Sequence, residues 1–267
     1  MTEKITDKTE ALAAVKDAGW ELANVSDELK ADKEVVMVAL KSFGDGLQYA
    51  SDELKADKEV VMVAVKDSFA LEYASDELKA DKEVVIAAVK FYDPTFEHAS
   101  DELKADKEFV MAAIKVSGGY TLEYASDELK ADKEVVMAAV KVSGDALELA
   151  SDELKADKEV VIAAVTDYSE QGLNHGDNFM YASNELQADK EVVMAAIKAS
   201  GTTFTYASDE LKADKEVVMA AVNNDVDALL ENGSIMDALE YASDELKTDP
   251  EILGGVDVDY LKKRGIL

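Results

Sequence analysis

The densest chemistry in this sequence lies in carboxylates that return at one spacing. Asp52, Glu53, Asp57 and Glu59 stand close together, and the same set recurs along the chain within the string S-D-E-L-K-A-D-K-E. Carboxylate oxygens are the hard ligands that calcium takes, but the calcium-loop pattern D-x-[DN]-x-[DN]-G-x5-E is absent, and even Asp225-Val-Asp227 runs on into Ala-Leu. Lys55 and Lys58 are interleaved with the acids, so a solvated helix surface with local ion pairs is the stronger reading. A second recurring group is aromatic. Tyr49, Tyr73, Tyr124, Tyr181, Tyr206 and Tyr241 share one repeat position. A tyrosine ladder beside carboxylates offers cation–π and ionic contacts to a Lys- or Arg-rich peptide, which makes these six the candidate partner-binding residues. The competing reading has each ring filling the groove between repeats with its hydroxyl at the surface. Leu149 and His98, which occupy the same slot, favour that competitor.

Nothing else points to catalysis. The two histidines, His98 and His175, are singletons and make no metal set, and there is no cysteine to supply a thiolate ligand or nucleophile. No nucleophile elbow, phosphate loop or dinucleotide fingerprint is present. The expectation is a protein that is not an enzyme, with no catalytic residue, cofactor or metal. A net charge of -30, from 58 acidic against 28 basic residues, would repel nucleic acid and anionic membranes and favours a basic protein partner. The first residues, MTEKITDKTEALAAV, lack the apolar core of a secretory signal, and no stretch has the length of a membrane span. A soluble, cytoplasmic or otherwise intracellular protein is expected.

These groups are positioned by a repeat. The string S-D-E-L, once varied to S-N-E-L, begins at nine serines: Ser26, Ser51, Ser75, Ser100, Ser126, Ser151, Ser183, Ser208 and Ser243. The usual step is about 25 residues, within the range of solenoid repeats. The steps from Ser151 to Ser183 and from Ser208 to Ser243 are longer, which places insertions near 169–178, read as a loop, and near 225–236.

Two prolines locate the helices. Proline is tolerated at the first helical position, where its missing N–H has no partner, so Asp249-Pro250 reads as an N-cap followed by a helix start. By register, Asp32, Asp57, Asp81, Asp106, Asp132, Asp157, Asp189 and Asp214 cap equivalent helices, each continued by Lys-Glu and an apolar run. Asp93-Pro94 marks the start of a first helix in the same way, and glycines at the matching place (Gly19, Gly44, Gly119, Gly144, Gly176, Gly201) would close the preceding helix. Each repeat is then an αα-hairpin. Because S-D-E-L is itself a good capping sequence, the first helix either runs through the serine or restarts there.

Leu47, Ala50 and Leu54 fall on one stripe of the first helix, with Tyr49 roughly 200° from the leucine. Val60, Val61, Met62, Val63, Ala64 and Val65 cover most of the second, which should be the more buried. Such short hairpins bury their faces only by stacking, so the expected fold class is an all-α solenoid of about nine αα-hairpins with N- and C-terminal capping helices, on the order of 80 Å long at 8–10 Å per packed helix. Residues 1–18 form the N-terminal half-repeat cap, 19–248 one continuous array, and 249–267 the C-terminal cap. In the first cap Glu10 replaces a valine, the polar change a terminal unit needs.

Segments such as "ALEYASDELKTDPEI" and "LEYASDELKADKEVVMAAVK" resemble a family of short helical tandem repeats, domain of unknown function 4116, over nearly the whole chain. The resemblance implies helical repeats and no established activity. The functional expectation is a protein-binding or scaffolding module with an acidic surface. A structural subunit of a larger assembly is the alternative, and the oligomeric state is open.

Overall fold

The computed structural model describes residues 4–66, 68–91, 93–166, 177–232, 236–253 and 262. Its fold is the all-α solenoid class, built from the expected tandem hairpins. The chain's contacts divide it into two compact units, Met1–Leu129 and Lys130–Leu267.

Within a repeat the second arm is one α-helix, but the first arm is broken. Gly44–Tyr49 forms a 3-10 helix, Ala50 leaves the helical region, and Ser51 caps a new four-residue α-helix, Asp52–Lys55. The restart follows from Ser51, whose hydroxyl accepts the Leu54 N–H at 3.4 Å. Asp57 then caps the long helix Lys58–Ala64. The kink leaves the apolar stripe intact, since Leu47, Ala50 and Leu54 are 0, 6 and 7% exposed.

Each unit has a layer of long helices and a layer of 3-10 segments. In the first unit the helices Lys8–Asp17, Lys33–Leu40, Lys58–Ala64, Lys82–Phe91 and Lys107–Ser117 pack in chain order, as do the 3-10 segments from Gly19–Asn24 to Gly119–Tyr124. The second unit stacks Lys133–Val140, Lys158–Thr166, Lys190–Ala199 and Lys215–Asn232 in the same manner. The long helices are buried on one face only. Val60, Val61, Ala64 and Val65 are fully buried, whereas Met62 and Val63 of the same apolar run are half-exposed. Helix Lys8–Asp17 takes the place of a long helix, with Ala11 and Val15 buried and Glu10 exposed. At the other end Asp249 caps Pro250–Leu253 by accepting the Glu251 N–H at 2.8 Å.

The glycine column has a different cause from the one expected. Among the described residues only Gly118 adopts a positive φ, 125°. Gly19, Gly44 and Gly144 instead open 3-10 segments pressed against the next long helix, where a Cβ would collide with the backbone carbonyls of Ala39, Ala64 and Ala164 respectively. Gly176 lies outside the described residues. Of the two insertions, residues 169–176 and 233–235 lie outside the described residues. Helix Lys215–Asn232 continues through the first part of 225–236. Asn178, at the edge of 169–178, is buried and donates to the Ala164 carbonyl at 2.8 Å, so it belongs to the core rather than to a dispensable loop.

Consecutive repeats are joined by two sets of rungs. In the first, the N–H of each repeat serine donates to the carbonyl that ends the previous S-D-E-L helix, as from Ser51 to Lys30, Ser100 to Lys79 and Ser183 to Lys155, at 2.9–3.0 Å. Ser26 donates instead to Ile5, beside the first helix, at 2.9 Å. The second set is ionic. Asp57 Oδ1 accepts the Glu59 and Val60 N–H groups at 3.0 and 3.3 Å, while its Oδ2 accepts Lys33 Nζ of the preceding repeat at 2.7 Å. Lys33 also meets Glu59 at 2.8 Å. The same Lys-to-Asp-and-Glu contact recurs from Lys8, Lys58, Lys133, Lys158, Lys190 and Lys215. One carboxylate therefore caps its own helix and ties it to the neighbour.

The lysine hydrogen bond, helped by backbone N–H groups, holds the carboxyls of Asp32, Asp57, Asp81, Asp157, Asp189 and Asp214 below the usual range. A carboxyl depressed by folding stabilises the fold above its unfolded value, near pH 4, and loses that contribution as pH falls through its folded value. Thermal melts from pH 5 to 2.5 are therefore expected to show a falling Tm below about pH 4. The drop should be shallower in Lys33→Met, which lacks one rung; equal slopes would show that the rungs are not its source.

Candidate functional site

The two columns of carboxylates singled out in the sequence separate in space. Asp57 and Glu59 of each repeat are occupied by the rung lysine. Asp52 and Glu53 are not. The Asp52 side chain is fully exposed, and its nearest cation, Lys55, stands at 4.0 Å on the same turn. Asp244 is placed likewise beside Lys247, at 3.5 Å, whereas Asp27 in the first copy is held by Lys4 at 2.8 Å. Exposed pairs of this kind hold little energy and are screened by salt. The Glu53 backbone N–H and the Ser51 hydroxyl hold the Glu53 carboxyl below the usual range, and Glu77, Glu102, Glu153, Glu185 and Glu210 follow suit. The S-D-E-L helices therefore carry charged, weakly compensated carboxylates along each unit. The expected local ion pairs exist, but the strong ones run between repeats.

The six tyrosines end the 3-10 segments, two residues before the repeat serine, and so border this acidic column; in the last copy an α-helix, Met236–Tyr241, replaces the 3-10 turn. Tyr49, Tyr73, Tyr124, Tyr181 and Tyr206 are half-buried, and Tyr241 is 45% exposed. Burial, and next the neighbouring Glu72 carboxylate, push the Tyr73 hydroxyl above its usual value; Asp45 and Tyr49 of the preceding repeat add to the rise. Lysine from the preceding S-D-E-L helix reaches over two of the rings: Lys30 lies 6.0 Å from Tyr49 and Lys212 5.7 Å from Tyr241. These distances suit cation–π attraction. The column thus combines half-covered rings, lysines and carboxylates.

His98 is half-buried in the tyrosine slot, and His175 lies outside the described residues. No three of His, Asp or Glu converge as a metal-ligand set among the described residues, and no helix among them is long and apolar enough to cross a membrane. Sequence reasoning missed a row of buried polar groups. Thr95, Thr121, Asn178 and Thr203 share one slot, five residues before the serine, and are at most 4% exposed. Asn178 takes a long-helix carbonyl, Thr121 meets Ser117 Oγ at 2.6 Å, and Thr203 donates to the Ser200 carbonyl at 2.7 Å. Alternation of that slot with Gly46, Ala70 and Ala146 was the available signal, and it hid the polar role.

No curated protein and no solved structure matches the chain. A family model does, at residues 32–79, 81–130, 116–155, 132–187, 157–212 and 189–231, and by these overlapping matches the chain belongs to the helical-repeat family described as Domain of unknown function (DUF4116).

Proposed function

We propose that this protein is a non-enzymatic binding or scaffolding module whose S-D-E-L column takes a basic protein partner. The observation that carries this reading is the separation of the two acid columns: rung acids are neutralised by lysine, while Asp52, Glu53 and their counterparts remain charged and open to solvent. A partner presenting Lys or Arg at the repeat spacing meets carboxylates of successive repeats, with the adjoining tyrosines as aromatic platforms. The attraction is long-range and screened by salt, with a Debye length of about 10 Å at 0.1 M.

The test is binding of a labelled oligolysine peptide at about 50 and 500 mM salt. Binding should be lost at high salt, and should weaken by about ten-fold in Asp52→Asn, Asp76→Asn, Asp101→Asn combined, a change that leaves every rung in place. Unchanged affinity in that variant would remove the column from the reading. Light scattering on the purified chain tests the alternative, a structural subunit, which predicts concentration-dependent oligomers without a second partner.

A further inference from the structure

The outward face of the long helices has a different character from the S-D-E-L column. Leu12, Met37, Met62, Ile86 and Met111 occupy one position on the five long helices of the first unit, and all are half-exposed. Four residues further on, one turn along the same face, stand Lys16, Lys41, Lys66, Lys90 and Lys115, all exposed. None of these ammonium groups has a carboxylate within ion-pair distance among the described residues, although the chain carries a charge of -30. On the other side of the apolar row, Glu34, Glu59 and Glu83 are paired with rung lysines at 2.8–2.9 Å. Three acids of that rim are therefore neutralised, with Glu108 left without a rung lysine among the described residues, while none of the five lysines of the basic rim is. Next to that rim Phe91 and Val116, which follow Lys90 and Lys115, are 49 and 43% exposed. In the second unit three equivalent positions, Met194, Lys198 and Asn223, line a groove between two long helices, together with Ala220.

We propose that this face of the first unit is a docking strip for an amphipathic helix whose apolar stripe is bordered by carboxylates. Unbranched methionine adapts to varied apolar side chains, which suits a strip that must accept a stripe laid across several helices. The unpaired lysine row fixes the sign of the partner and the edge on which its acids lie. The partner is the reverse of the one assigned to the S-D-E-L column, so the two faces take ligands of opposite charge and their tests are independent.

The probe is a labelled synthetic peptide of about 18 residues, about 27 Å as a helix, with leucines at i, i+3, i+4 and i+7 and glutamates on one edge. It spans roughly three long helices at 8–10 Å each. Fluorescence anisotropy with the full chain is expected to show binding despite the net charge. Affinity should fall about ten-fold in Lys41→Glu, Lys66→Glu, Lys90→Glu combined and in Met37→Ser, Met62→Ser combined. Circular dichroism verifies that both variants fold, and the lysine variant changes only exposed side chains. Asp52→Asn, Asp76→Asn, Asp101→Asn should leave this affinity unchanged or slightly higher. Absence of binding at millimolar protein overturns the proposal, as does binding that the lysine variant leaves intact, since the occupant is then not selected by charge.

Discussion

Phe96→Ala is expected to cost about 3–5 kcal/mol and to lower the Tm more than any surface change. Phe96 is fully buried in the slot that most repeats fill with leucine, and its ring stands 6.1 Å from Phe109, the first apolar residue of the next long helix. The pair joins the two arms of one hairpin, so alanine there opens a cavity inside a repeat as well as removing an aromatic contact worth about 0.5–1.5 kcal/mol. In a stacked array, stability is a sum of unit and nearest-neighbour terms, and one weak unit lets the flanks unfold separately. Denaturant unfolding should accordingly become broader. Phe96→Leu, which restores the residue found at Leu47, Leu71, Leu122 and Leu147, should recover most of the loss. A loss below about 1 kcal/mol for the alanine variant would show that the hairpin collapses onto the gap.

The second large effect concerns two glycines a residue apart. Gly44→Ala should destabilise the first unit by about 1–3 kcal/mol, because the added carbon meets the Ala64 carbonyl and the buried Ser68. Ser68 cannot yield freely, since its hydroxyl donates to that carbonyl at 2.7 Å and accepts the Ala70 N–H at 3.2 Å. The next long helix must move away, and the hairpin loosens. Gly46→Ala places its carbon 3.4 Å from Phe43 Cδ1 and 3.6 Å from Leu40, ordinary packing distances, and the equivalent residues are Ala70 and Ala146. It should be neutral or stabilise by about 0.4–1 kcal/mol through the unfolded chain. Melting the two variants side by side separates close approach from backbone freedom. Similar losses in both would mean that glycine is needed here for its conformation.

The sequence displayed the capping logic openly, because a cap is decided within one turn: Asp57 and Asp249 each hold the first N–H groups of the helix that follows. Proline at 250 could be placed for the same reason. The break at Ser51 was open between two outcomes, and the hydroxyl-to-Leu54 bond decided it. The rungs were beyond reach. Lys33 lies one turn from acids of its own helix, yet its partner is Asp57, 24 residues on, a separation that no local rule selects. The glycine column misled because a residue chosen for its absent side chain looks the same whether the reason is backbone angle or contact with the other arm of its hairpin. At the candidate site, the acids and tyrosines could be named in advance, but not their division into paired and unpaired columns. The lysine row escaped notice for a related reason: only a structure shows which cations have found no counter-charge.

The rungs have a consequence for how the chain can change length. Lys-to-Asp is common to the described rungs, and it keeps its geometry whether its ends are 23 or 34 residues apart. The array is thus commensurate with itself, like a crystal row whose cell can be repeated or omitted. Gain or loss of a whole copy leaves each Asp facing a lysine, whereas a slip of half a copy leaves it without one. Copy number is therefore a quantity that recombination between near-identical segments can alter with no new interface to devise. Pro250 is where that freedom stops, since it fills the rung lysine's position and offers no ammonium to a copy joined behind it.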